Sequence, residues 1–202
     1  MIKQDSNIAK EPAAEYSKQY TYADYIKFEY DHMVELIKGK IFKMSPAPKL
    51  YHQQITVSLS GFMFYYFKNK KCELLVAPTD VILPIRNQKK NKATTVVQPD
   101  ILVVCEPAKL VSEGCLGAPD LIIEILSAST AKKDMNDKYQ VYEESGVREY
   151  WIVMPKEQLV EVFHLVNGKY KRIKTYTSDE VISPVIFPDL EINLQEVFPE
   201  MK

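Results

Sequence analysis

The stretch PDLIIEILS, residues 119–127, is an apolar run with one carboxylate, Glu124, set inside it. Strand side chains alternate between faces, so Glu124 shares a face with Ile122 and Leu126, while Leu121, Ile123 and Ile125 line the other. Both faces are apolar, which predicts a strand covered on both sides. An unpaired carboxylate in such a strand costs several kcal/mol. Glu124 therefore needs a partner, and the rest of the chain holds the candidates.

At 202 residues and 46% hydrophobic content the chain can bury a full core as one domain. A net charge of −1 excludes a bulk polycation, so any nucleic-acid contact is expected from a local basic patch. Cys72, Cys105 and Cys115 form neither a metal-ligand spacing nor an even-numbered framework, and predict a reducing, cytoplasmic setting. The opening MIKQDSNIAKEPAAEYSKQ has no apolar core of a signal peptide, and no run is long enough to cross a bilayer. No membrane partner is expected.

Residues 1–20 read as a flexible tail and 21–202 as a single domain. TYADYIKFEYD predicts a short helix with Thr21 as N-cap and Asp24 three residues on. VELIKGKIFKM predicts a hairpin turning at Lys38-Gly39. Residues 50–68 carry Ile55, Leu59, Phe62, Met63 and Tyr66 at helical spacing. Strands are expected near 73–76, 80–85, 96–105 and 119–127, with the basic loop RNQKKNK at 86–92. A helix over 130–145, capped at Ser129 or Thr130, precedes a strand in REYWIVM and a hairpin turning at Asn167-Gly168. The sum is α/β: a mixed β-sheet flanked by helices, with added β-hairpins.

In VVQPDILVV, residues 96–104, only Gln98 and Asp100 interrupt an apolar run, and they point the same way along a strand. If this strand neighbours 119–127, joined to it by a loop over 105–118, Asp100 and Glu124 converge. Two close carboxylates repel, and a divalent cation relieves that conflict; hard oxygen ligands suit Mg²⁺ or Mn²⁺. The alternative is that each carboxylate caps backbone or meets an arginine. On the 130–145 helix the inward stripe is Met135, Lys138, Tyr139 and Tyr142, so a lysine occupies an apolar position. Lys138 either neutralises the carboxylates or contacts phosphate, or else pairs with Asp134 at the surface.

The succession VELIKGKIFKMSPAP, QPDILVV, GAPDLIIEILSAST and GVREYWIV resembles the Uma family of restriction-endonuclease-like proteins, in the PD-(D/E)XK nuclease superfamily. The resemblance spans Tyr22 to Tyr176 and is most specific in its middle third. It implies a restriction-endonuclease-like core in which Asp100 and Glu124 are the acidic metal ligands. The superfamily's lysine usually stands two residues beyond the second acid, where this chain has Leu126; in this family Lys138 of the next helix takes its place. Glu35, His52 and Gln98 also fall on family motif positions. Glu35 either completes a metal shell or is an exposed hairpin carboxylate. His52 contacts phosphate or a ligand water, or is a core histidine. Gln98 is a candidate for substrate binding, and Asp80 is more simply a strand-start residue.

The implied activity is metal-dependent hydrolysis of phosphodiester bonds in DNA by a cytoplasmic enzyme using Mg²⁺ or Mn²⁺. The basic residues at 86–92 and Lys68–Lys71 either follow the DNA backbone or are ordinary solvated charge. A homodimer is expected, since cutting both strands takes two active sites. The rival is a non-catalytic nucleic-acid-binding or assembly module on the same fold.

Overall fold

A computed structural model of the chain describes residues 18–29, 32–44, 49–85, 88–127 and 133–199, with backbone alone at 133 and 134. Residues 1–17 of the expected tail lie outside the described residues, as do Arg86, the expected caps Ser129 and Thr130, and the Asp134 side chain. Helix α1 (Tyr22–Tyr25) precedes the hairpin β1 (Val34–Ile37) and β2 (Lys40–Lys43), and α2 (Leu50–Phe67) follows. Then come β3 (Glu73–Val76), β4 (Val81–Ile82), β5 (Val96–Val97), β6 (Ile101–Val104), β7 (Leu110–Val111), β8 (Gly114–Leu116) and β9 (Leu121–Ile125). A π-type stretch, Lys133–Lys138, leads into α3 (Tyr139–Ser145). The chain closes with β10 (Glu149–Met154), β11 (Leu159–Val166), β12 (Lys169–Thr177), β13 (Val181–Ile182) and β14 (Ile192–Asn193).

The strands build two six-stranded mixed sheets and a small pair, β13–β14. The central sheet runs β12-β11-β10-β9-β6-β3, antiparallel except where β9 meets β10 through the crossover that carries α3. The second runs β2-β1-β5-β4-β8-β7, with β4 and β8 parallel. This is the expected α/β class, with mixed sheets flanked by helices and extended by hairpins.

Strand β9 is covered on both faces, as its composition requires. Leu121, Ile123 and Ile125 pack with Ile101, Val103 and Trp151 against Ile55, Leu59, Met63 and Phe67 of α2. On the other face Ile122 lies with Leu102 and Ile152 beneath Val141 and Tyr142 of α3 and beside Val81, Leu83 and Val97 of the second sheet. The 3.6-residue period brings the four α2 side chains onto one stripe. Both hairpins turn where expected: Lys38 and Gly39 have φ of 50° and 79°, Asn167 and Gly168 53° and 75°. Positive φ at both central residues is the turn geometry that matches strand twist.

Three expectations are corrected. The run 96–105 is not one strand: β5 belongs to the second sheet and β6 to the central one, with Gln98-Pro99-Asp100 crossing between them. Pro99 has no N–H to give a ladder, so the run breaks there. Residues 105–118 are not a plain loop, because β7 and β8 extend the second sheet. Among the described residues of the expected 130–145 helix, α-helix runs only from Tyr139 to Ser145, and Met135, at 44% exposure, is not on its inward stripe.

The cysteine reading changes too. Glu73 pairs with Val104, so the next residues outward, Cys72 and Cys105, stand opposite each other and are joined by a disulfide. A 33-residue separation hides that pairing from any spacing argument. The cysteine count therefore no longer speaks for a reducing compartment. Among the described residues no helix is long and apolar enough to cross a membrane.

Candidate active site

Three ionisable side chains meet where α3 covers the two sheets. Glu35 on β1 is fully buried, Glu124 on β9 and Lys138 nearly so. Lys138 Nζ lies 2.9 Å from Glu35 Oε1 and 2.8 Å from Glu124 Oε1. Tyr142, one helical turn after Lys138, donates its hydroxyl to the same Glu124 oxygen at 2.6 Å. The partner that Glu124 needs is thus a lysine and a tyrosine from one helix face, four residues apart. Glu35 is not an exposed hairpin carboxylate, and Lys138 is held inward by charge. The π-type stretch widens the turn that ends at Lys138, a form of helix found often at functional sites.

Asp100 sits at the crossing between the sheets. Ile101 pairs with Ile123, and continuing that register by one residue sets Asp100 opposite Glu124. Asp100 Oδ2 accepts the Ile125 backbone N–H at 2.7 Å and lies 3.3 Å from Nε2 of His52 on α2. Asp100 Oδ1 takes no hydrogen bond among the described residues. Gln98 ties the crossing to both neighbours: its backbone N–H donates to Glu35 Oε1 at 2.9 Å, and its Nε2 donates to Asp80 Oδ1 at 2.7 Å. Tyr25 of α1 also donates to Asp80 Oδ1, at 3.1 Å, and burial raises its phenol pKa, with the Asp80 charge adding to the rise. Asp80 is therefore more than a strand-start residue. Gln98 Oε1 is buried with no partner among the described residues.

The candidates thus form a linked chain of contacts, Tyr25–Asp80–Gln98–Glu35–Lys138–Glu124–Tyr142, with Asp100 opposite Glu124 in register and His52 against Asp100. Tyr142 as a partner of Glu124 is what sequence reasoning missed; its place on the lysine's helix face was the available signal. Burial and the neighbouring Glu124 hold the Tyr142 phenol pKa well above its ordinary value, so it remains a donor. Tyr142→Phe is expected to cost about 1–3 kcal/mol, the value of a buried hydrogen bond to a charged acceptor. Urea unfolding at pH 7 measures it, and a loss under half a kcal/mol would mean the contact contributes little.

The donor chemistry suits a hard divalent cation. Gln98 Oε1 is a buried oxygen without a hydrogen-bond donor among the described residues, the Asp100 contacts run through Oδ2, and the neighbouring carboxylates are of the type Mg²⁺ and Mn²⁺ prefer. Among the described residues no set of three or more His, Cys, Asp or Glu is gathered to hold a metal. A hexacoordinate ion would take much of its shell from water and substrate, as Mg²⁺ usually does. Of the basic residues, Lys90 pairs with Glu113 at 2.7 Å and Lys70 lies over the Tyr66 ring, which favours ordinary surface charge.

A crystal structure titled "putative nuclease belonging to DUF820", from Anabaena variabilis, superposes with a TM-score of 0.70 over 89% of this chain and 97% of that one, at 20% identity. An uncharacterized protein of Synechocystis is 26% identical over 160 residues, 78% of this chain and 80% of that protein. The chain belongs to the Uma2 family, described as "Putative restriction endonuclease", which it matches over residues 14–195.

Proposed function

We propose that this protein is a metal-dependent endonuclease that hydrolyses phosphodiester bonds of DNA in the cytoplasm, with residues 21–202 as its single domain. The observation that carries the reading is the burial of Glu35, Lys138 and Glu124 together beside Asp100. Apolar side chains of similar volume would hold the core at least as well as such a trio. A fold gains little stability from it, whereas phosphodiester hydrolysis has direct use for it.

Asp100 and Glu124 would hold Mg²⁺ or Mn²⁺, with Gln98 Oε1 close by as a further oxygen. Such an ion, when bound, would supply a water acidic enough to yield the hydroxide that attacks phosphorus, and would offset phosphate charge. The chain's own groups do the rest. Tyr142 and Lys138 fix one oxygen of Glu124 and so orient the carboxylate. Ile125 N–H and His52 fix Asp100 through Oδ2, which would leave Oδ1 for a bound metal. Lys138 and Glu35 set the local charge, with the ammonium offsetting negative charge that develops on the pentavalent phosphorus.

The test is calorimetric titration with Mn²⁺ followed by nicking of supercoiled plasmid. Asp100→Asn and Glu124→Gln should each abolish the binding heat and the nicking while keeping a cooperative unfolding transition. Stability is expected to fall rather than improve, because each carboxylate has donors in place: Ile125 N–H for Asp100, Lys138 and Tyr142 for Glu124. Nicking that survives both substitutions would overturn the site. DNA binding without metal uptake or cleavage would favour the non-catalytic module.

A further inference from the structure

Helix α2 contains no Asp, Glu, Lys or Arg in its 18 residues, although 26% of the chain is charged. A surface helix normally turns a charged face to water, and a helix apolar all round is one that becomes covered. The inward stripe of α2 is Ile55, Leu59, Met63 and Phe67. Its outward side exposes Gln53 and Gln54 but also large apolar side chains: Leu50, Val57 and Phe64 are 74%, 69% and 61% exposed, and Tyr65 is 86% exposed. Leu50, Val57 and Phe64 are seven residues apart, the spacing that lines side chains along one seam between helices. Gly61 is exposed on the same helix, and a Cβ placed there would meet nothing within 4 Å. It leaves room for another backbone to approach.

We propose that this face is a homodimer interface, with α2 packed antiparallel on α2 of a second copy about a two-fold axis near Val57. Charge and symmetry both select a second copy. A two-fold sets residues near the axis against their own copies, which a charged seam would not tolerate and this one does. Leu50 and Phe64 stand equally far from Val57, so the antiparallel arrangement opposes each to the other in the second copy. The flanks are complementary too. Glu196 lines the groove beside Leu50 and Val57, at the N-terminal half of α2, and exposed Lys68 follows its C-terminal end. Antiparallel packing brings the Lys68 end of one copy over the Glu196 groove of the other. The first 17 residues hold few large apolar side chains, chiefly Met1, Ile2, Ile8 and Tyr16, and are poorly suited to cover the seam. Such an interface does not depend on nuclease activity, although the inner side of the same helix presents His52 to Asp100.

Sedimentation equilibrium of the full chain should give twice the 23.3 kDa chain mass at micromolar concentration. Val57→Glu and Phe64→Glu should each return it to the single-chain mass with unchanged far-ultraviolet circular dichroism, since both side chains are exposed in the protomer. Val57→Cys provides a readout that does not depend on those variants folding. Cys72 and Cys105 are bridged and Cys115 is buried, so residue 57 would carry the accessible thiol. Diamide, which takes up the two thiol hydrogens, should link two chains through residue 57 and give a reducible dimer band. A single-chain mass at the highest soluble concentration would overturn the proposal. So would a dimer that survives both glutamates while Val57→Cys fails to cross-link.

Discussion

Lys138→Met is expected to lower plasmid nicking by a factor of about 10²–10³ and to destabilise the fold at pH 7 by about 3–5 kcal/mol. Methionine keeps the bulk and apolar packing of the lysine stem, so both losses report the ammonium. Its nitrogen lies 2.9 Å from Glu35 Oε1 and 2.8 Å from Glu124 Oε1. Without it, two buried carboxylates lose the ammonium that lies between them. Breaking a buried ion pair on one side leaves uncompensated charge, which accounts for the stability loss. Acidification, which protonates the carboxylates, should shrink the deficit, and the double variant Lys138→Met with Glu35→Gln should recover part of it. The two effects separate cleanly. If the double variant regains stability but not nicking, while Glu35→Gln alone still nicks, the ammonium acts on the reaction. If stability and nicking recover together, Lys138 only holds the carboxylates in place. A stability change of only about 0.3–0.5 kcal/mol, the value of a surface helix pair, would refute the buried arrangement.

Much of this was legible in the sequence because periodicity reports local exposure. The alternating apolar residues around Glu124 predicted a strand covered on both faces, and α2 ends within one residue of its expected limit. Lys-Gly and Asn-Gly turns located both hairpins because positive φ at two successive residues narrows the choice of side chain. Pairing over distance was less visible. Residues 96–105 have the composition of one strand, and only the two-sheet topology shows that Pro99 divides them between layers. The Cys72–Cys105 bridge follows from the β3–β6 register, which no local pattern encodes. In the site, Glu124 and Lys138 were conspicuous as charge in apolar patterns. Tyr142 was not, because a tyrosine on an inward stripe looks like core until its hydroxyl has a partner. Glu149 escaped for a related reason: it opens a strand, where a carboxylate is expected to be wet, but it is fully buried.

Glu149→Ala should be the most destabilising single change away from the candidate site, by about 3–6 kcal/mol, at about 1–3 kcal/mol for each buried donor left unpaired and allowing for incomplete additivity. Glu149 accepts three N–H groups: Trp151 Nε1 at 2.7 Å, Val185 N at 3.1 Å and Ile186 N at 3.0 Å. These fasten the C-terminal segment, which carries Leu190, Ile192, Leu194 and Val197 of the α2 core, to the start of β10. Surface pairs such as Arg172–Glu161 are worth far less, because water screens them. Against a typical total of about 5–15 kcal/mol, losing the Glu149 contacts removes a large share. Glu149→Gln keeps one acceptor oxygen and should cost less. Its pH dependence gives a second check. Burial raises the Glu149 pKa above its ordinary 4.5, partly offset by its donors. With the folded pKa above the unfolded one, its titration adds stability below about 4.5 that is lost as pH rises through the folded value. The advantage of the native protein over Glu149→Gln should therefore be greatest in acid and narrow toward neutrality. Hydrogen exchange provides the local readout: in Glu149→Ala, protection should fall first at residues 181–198 and only later in β9 and β10. Uniform loss across the central sheet would show that Glu149 supports the whole core rather than anchoring that segment.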